Sequence, residues 1–189
     1  MLPNWQDIRY LQAGSPAQQA AYAALQQHAV LAALQVYDPI LVGTFPIDSM
    51  VAGSDLDIIC EVHDCVEFNR RVSQHFSHCP AYSFRLLRSG ELPGWVASFY
   101  LEGFEIEVFG QPIPTKQQHG YRHLVVEARL LAVGGSALRE RVRQLKAQGL
   151  KTEPAFAKLL ALPGNPYQAL LALETCTDQQ LHQLVWQRS

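Results

Sequence analysis

Leu41-Val42-Gly43-Thr44-Phe45-Pro46-Ile47-Asp48-Ser49-Met50-Val51-Ala52-Gly53-Ser54-Asp55-Leu56-Asp57-Ile58-Ile59 is the most informative segment of the chain. The apolar run Ile40-Leu41-Val42 stops at Gly43, the pattern of a buried strand entering a turn. A second strand is expected over Leu56 to Val62. Side chains alternate along a strand, so Asp55 and Asp57 fall on one face while Leu56, Ile58 and Cys60 fall on the other. Two carboxylates held side by side repel, and raise one another's pKa, unless a cation lies between them. Mg²⁺ (or Mn²⁺) suits such a pair, because it takes a few carboxylates and leaves its other positions to water and phosphate oxygens.

A third acid is offered by Phe104-Glu105-Ile106-Glu107-Val108-Phe109. Phe104, Ile106 and Val108 face a core, so Glu105 and Glu107 point together to the other side. If this strand lies beside the Asp55 strand, one glutamate completes a three-carboxylate metal site. Alternation does not choose between them. Upstream, Gly43 lets the backbone approach a phosphate closely, and nearby amides with the Thr44 hydroxyl can donate to it. Ser54 is a second candidate donor. Neither a Walker loop nor a dinucleotide fingerprint is present.

Composition narrows the partners. The chain has 189 residues, 48% hydrophobic and 17% charged, with a net charge of −2. That supplies one core, or one core with a helical extension. The balance lacks the basic stripe of a protein that lives on a nucleic-acid backbone, so no extended nucleic-acid surface is expected. A small polyanion such as ATP needs only a local pocket. No signal peptide is read at MLPNWQDIRYLQ, and no apolar run approaches the ~18–20 residues that span a bilayer. Cys60, Cys65, Cys79 and Cys176 sit at irregular spacing. Reduced thiols and a cytoplasmic location are the expectation.

Along the chain, Ser15-Pro16 starts a helix to about Leu34, with Tyr22, Leu25, Val30 and Leu34 on its buried side. Residues 44–53 read as loop. Asp64 is placed to cap a helix from Cys65 to about Phe76. Strands are expected over Tyr82 to Leu87, Trp95 to Leu101 and Phe104 to Phe109, separated by the turn-rich SGELPG segment and a tight Glu102-Gly103 hairpin. After Gln111 the texture turns helical. Thr115 is expected to cap a helix whose apolar side is Tyr121, Leu124, Val125, Ala128, Leu131 and Ala132, broken at Gly134-Gly135. A basic helix follows, then shorter ones after Thr152, Asn165 and Thr177. The expected fold is α+β, a small mixed sheet flanked by helices over 1–111 and an all-helical region over 112–189 packed on that core.

Two other groupings are weighed. His63, Cys65, His75, His78 and Cys79 invite zinc, but their spacing fits no compact finger and a helix scatters them. His119 and His123 stand one helical turn apart without a zincin glutamate. Among Lys116, Gln118, His119 and Arg122, the guanidinium of Arg122 best suits phosphate oxygens. Arg139, Arg141, Arg143 and Lys146 read as a solvated basic helix side.

Taken together, Val42-Gly43-Thr44, Asp55 and Asp57 around Leu56, and Ile106-Glu107-Val108 resemble the DNA-polymerase-β-like nucleotidyltransferase superfamily. The whole chain also looks like a bacterial family of uncharacterised proteins within it, through Glu107-Val-Phe-Gly-Gln111, Gln117-Gln-His-Gly-Tyr-Arg-His123 and Gly164-Asn-Pro-Tyr167. The resemblance implies a Mg²⁺-dependent transfer of a nucleoside monophosphate from a nucleoside triphosphate to a hydroxyl acceptor, whether a small molecule, a protein or an RNA end. It implies Asp55, Asp57 and Glu107 as metal-holding residues, Glu107 rather than Glu105. Gly43, Thr44, Ser54, Gln118 and Arg122 are the nucleotide-binding candidates. Two departures stand out: threonine follows Gly43, and the third carboxylate is the longer glutamate. The competing expectations are a catalytically silent nucleotide-sensing or partner-binding module on the same fold, and a pyrophosphotransferase.

Overall fold

The computed structural model describes residues 2–87 and 92–187. Ser89, Gly90 and Glu91 of the expected SGELPG turn lie outside the described residues. In chain order the helices are α1 (Pro16–Gln27), α2 (Val30–Ala33), α3 (Cys65–Phe76), α4 (His119–Ala147), α5 (Thr152–Leu159), α6 (Pro166–Leu171) and α7 (Asp178–Trp186). The strands are β1 (Ile40–Val42), β2 (Leu56–Glu61), β3 (Ser83–Leu87), β4 (Gly94–Leu101) and β5 (Phe104–Gln111). They form one mixed sheet in the order β1-β2-β5-β4-β3. β2 and β5 are parallel, and every other pair is antiparallel.

The chain divides into two compact units, interleaved in sequence. One holds the sheet (Pro3–Val42 and Asp55–Tyr121); the other holds Gly43–Ser54 and Arg122–Ser189.

In the sheet unit, the face built from Leu56, Ile58, Ile106, Val108, Ala97 and Phe99 is fully buried. Helix α3 contributes Phe68, Val72 and Phe76 to the core, and Phe76 stacks on Phe99 at 4.6 Å. Its start is fixed by Asp64, which accepts from the Val66 and Glu67 amides at 2.9 and 3.0 Å. Such a cap contributes about 1 kcal/mol. α1 opens with a complete Ser15–Gln18 capping box. It stops at Gln27, earlier than expected, because Ala29 turns left-handed (φ 50°) and restarts the chain as α2. Glu102 and Gly103, both at positive φ, make the hairpin between β4 and β5.

Gly110 of β5 shows why that position carries no side chain. A Cβ there would meet Val62 Cγ2 at 2.7 Å and the Phe68 ring at 3.2 Å. Between β5 and α4, Thr115 does not cap a helix as expected. It opens a short 3₁₀ turn, and its hydroxyl donates to Asp38 Oδ2 at 2.6 Å. The long helix starts at His119 and is interrupted at Gly135 as expected, where φ 61° and ψ −154° are non-helical and the basic helical stretch follows the kink.

In the second unit the buried side of α4 is wider than its apolar residues. His123 and Glu127 are buried, at 6% and 2% exposure, while Ala132 is exposed. His123 Nε2 bonds Tyr167 O at 3.0 Å, and Nδ1 lies 3.4 Å from Glu153. His123 and Tyr167, the last residues of the motifs Gln117–His123 and Gly164–Tyr167, thus meet. Burial, and then the Glu153 charge, hold the Glu127 carboxyl well above the ordinary range, with Lys146 pulling the other way. Arg139 Nε donates to Ile47 O at 3.3 Å, and Arg143 pairs with Asp48 at 2.9 Å. Arg139 and Arg143 of the basic side expected to be solvated therefore fasten the Gly43–Ser54 segment, because its carbonyls need donors, while Arg141 is exposed as expected.

Two outcomes are expected. Gly110→Ala loses about 1–3 kcal/mol by overpacking, read as a lower urea midpoint at unchanged m. Glu127 keeps in the folded state a proton that the unfolded chain releases above about pH 4.3, so stability falls as pH rises from there toward the raised folded value. Glu127→Gln removes that loss. Its melting temperature should exceed the parent's near about pH 8, by about 2–4 °C per kcal/mol, and the gap should close toward about pH 4.

Candidate active site

The parallel register of β2 and β5 sets Asp57 directly beside Glu107, with Leu56 opposite Ile106 and Ile58 opposite Val108. Because Leu56, Ile58, Ile106 and Val108 are buried on one face, the carboxylates are forced to the other. Asp55, one residue before β2, joins them. One carboxylate oxygen from each of Asp55, Asp57 and Glu107 lies within 4.8 Å of the other two, and all three residues are half-buried. No other group of three histidine, cysteine or acidic side chains meets that spacing among the described residues.

Glu105 projects from the same strand, one alternation away. Its carboxylate accepts from the Tyr100 hydroxyl at 3.0 Å, which raises the Tyr100 pKa. Glu107 Oε1 accepts from Ser98 Oγ at 3.2 Å and from Arg85 Nη2 at 3.3 Å. Neither Arg85 nor Ser98 stood out in the sequence. The signal was present in the alternation of β3 and β4, but only the strand order places those residues beside Glu107.

Farther along this face the sheet is covered. Gly120 sits where a Cβ would touch Ile59 and Val42 at 3.4 Å, so the first turn of α4 rests on them. The covering segment is fastened by Gln118, whose Nε2 donates to Cys60 O at 2.8 Å and Ile113 O at 3.2 Å. Gln118 is 1% exposed. Its amide nitrogen is spent on backbone carbonyls rather than offered to phosphate, a use invisible in a sequence that shows only a polar residue near a basic one.

The remaining candidates belong to the other unit. Gly43 adopts φ 73°, which favours glycine, and Thr44 is buried at 7% exposure. Thr44 O accepts from Ser49 N at 3.0 Å, and Ser54 Oγ accepts from Val51 N at 3.0 Å, closing the turns of this segment. Arg122 forks onto Glu174, with Nη2–Oε2 at 2.6 Å, and this pairing lowers the Glu174 pKa.

A family model described as a domain of unknown function (DUF4269) matches residues 23–173. The chain belongs to that family. No curated protein matches the sequence. Among solved structures, this DUF4269 chain resembles the Cid1 poly(U) polymerase, with TM-score 0.55 and 10% identity over 85% of this chain and 56% of that one. The polymerase core of TRAMP, an RNA surveillance complex, gives 0.51 and 14% over 95% and 61%. The GLD-2/RNP-8 complex gives 0.52 and 10% over 82% and 62%. The chain thus spans little more than half of these neighbours. Their likeness establishes the fold alone, the one these polymerase structures share. Other Cid1 poly(U) polymerase structures of this fold hold MgATP and MgGTP. Among the described residues of the DUF4269 chain, no helix is long and apolar enough to cross a membrane.

The three carboxylates can hold a hard divalent cation, and a thermal-shift measurement tests this. Mn²⁺ or Mg²⁺ at about 100 times its Kd should stabilise the parent by about 2.7 kcal/mol. Asp57→Asn should abolish the gain yet melt in EDTA at or above the parent, since it relieves like-charge repulsion. A variant that melts far below the parent in EDTA would assign Asp57 a structural role.

Proposed function

We infer that this DUF4269 chain is a divalent-metal-dependent nucleotidyltransferase that moves a nucleoside monophosphate from a nucleoside triphosphate to a hydroxyl acceptor. The observation that carries the reading is the convergence of Asp55, Asp57 and Glu107 on adjacent strands of a nucleotidyltransferase sheet. The donor set is all carboxylate oxygen, without nitrogen or sulfur, and fits Mg²⁺ or Mn²⁺ better than zinc. When bound there, the cation supplies charge neutralisation for phosphoryl transfer and orients the reacting oxygens.

The chain's own residues do the rest. Asp57 on β2 and Asp55 just before it present carboxylate oxygens within 4.8 Å of each other. Glu107 has the longer side chain and stands beside Asp57 in register, which supports a role for its carboxylate in taking the proton of the attacking hydroxyl. Gly43 and Thr44 are assigned to the triphosphate on the strength of the motif that links them to Asp55. Ser54, which accepts from Val51, and Arg122, which pairs with Glu174, are phosphate candidates on the sequence pattern alone. Glu105, engaged by Tyr100, is left outside the reaction.

The test is to incubate the purified chain with each α-³²P nucleotide, Mn²⁺ and fractionated cell extract, and follow label into small molecules, protein and RNA. Metal-dependent label in one fraction identifies the acceptor. Label from a β,γ-³²P donor instead of the α position would make it a pyrophosphotransferase. Binding without transfer in every fraction would leave a nucleotide-sensing module. Within this assay Glu107→Gln should lower transfer by about 10²-fold or more, the scale of lost acid–base groups, while Glu105→Gln stays within about threefold of the parent. The reverse pattern would move the assignment to Glu105.

A further inference from the structure

Arg85 lies on β3, at the sheet edge opposite β1, yet its guanidinium reaches across β4 to the site. Nη2 donates to Glu107 Oε1 at 3.3 Å, the oxygen that also accepts from Ser98. Glu107 therefore stands between a protein cation on its β4 side and two acids on its β2 side. The Arg85 and Glu107 side chains are 49% and 31% exposed. A single, long, solvent-screened contact of this kind is weak and readily exchanged.

The geometry points to Arg85 as a displaceable counter-ion of Glu107 that passes to a phosphate on the acceptor once a divalent cation occupies the three carboxylates. The acceptor is accordingly a phosphorylated compound whose phosphate lies close to its attacking hydroxyl. This rests on the nucleotidyltransferase reading of the site. Like charges within a few ångströms repel even when partly screened by solvent, so the cation and the guanidinium compete for Glu107. Glu105, the other acid of β5 on this face, is engaged by Tyr100. A released guanidinium is a planar fork suited to phosphate. In that reading Glu107 receives the acceptor proton, so an anion held by Arg85 sits on the acceptor.

Mn²⁺ binding, read by electron paramagnetic resonance without nucleotide, should be about three- to tenfold tighter in Arg85→Gln than in the parent, the range for removing one exposed competing charge. Arg85→Lys should lie between them. On the Mn²⁺-loaded protein, calorimetry then compares ribose, ribose 5-phosphate and a short RNA trinucleotide. The parent should bind one of the two phosphate-bearing probes at least about tenfold more tightly than ribose, and Arg85→Gln should lose that preference. Preference for ribose 5-phosphate marks a small sugar phosphate as acceptor, and preference for the trinucleotide marks a nucleic-acid end. Mn²⁺ affinity unchanged or weakened in Arg85→Gln overturns the proposal alone, as does a parent that binds both phosphate-bearing probes no better than ribose. A parent that takes up no Mn²⁺ overturns the nucleotidyltransferase reading together with it.

Discussion

The parallel pairing of β2 with β5 assembles the three carboxylates. Parallel strands cannot be joined by a tight turn, and here α3, β3 and β4 intervene before the chain returns beside β2. The return sets acids from distant parts of the sequence in register. At 4.8 Å and an effective dielectric of about 20, two unit negative charges cost roughly 3–4 kcal/mol. On the opposite face, Leu56, Ile58, Ile106 and Val108 are fully buried, each contributing about 1.5–3 kcal/mol. The apolar face outweighs the repulsion and holds the carboxylates where solvent alone would part them. Arg85 and Ser98 lower the remaining cost at Glu107.

Much of this was legible in the sequence because it depends on local periodicity. Alternation in Asp55-Leu-Asp57 and Glu105-Ile-Glu107 put the acids on one face of each strand. Asp64 and Asn165 announced helix starts through side chains that accept from the next amides. Strand order was not legible. No property of Arg85 says that its strand forms a sheet edge two places from β5. The choice between Glu105 and Glu107 was equally closed to alternation, and the register with Asp57 separates them in space.

Polar residues were the other blind spot. Gln118 read as a nucleotide-binding candidate and Arg139 and Arg143 as a solvated helix side, but these and His123 each satisfy a carbonyl or carboxylate supplied from elsewhere in the chain. A buried backbone carbonyl needs a donor, and a long polar side chain is a way to deliver one. Thr115 makes the same point from the other direction. Its hydroxyl meets Asp38, 77 residues earlier, instead of a helix amide, so helix start signals fail wherever a better partner arrives from far along the chain.

The two margins of the sheet differ in how they meet solvent. β1 is short and buried, while β3 is half-exposed and, among the described residues, has a strand neighbour on one side only. An open margin of unpaired amides and carbonyls invites other chains to add to it, and a charged side chain there discourages such growth. Arg85 occupies the middle of that margin, with exposed Leu86 beside it. A change that neutralises Arg85 thus carries a second liability, self-association through the bared strand, which concentration-dependent light scattering would separate from any effect on the carboxylates.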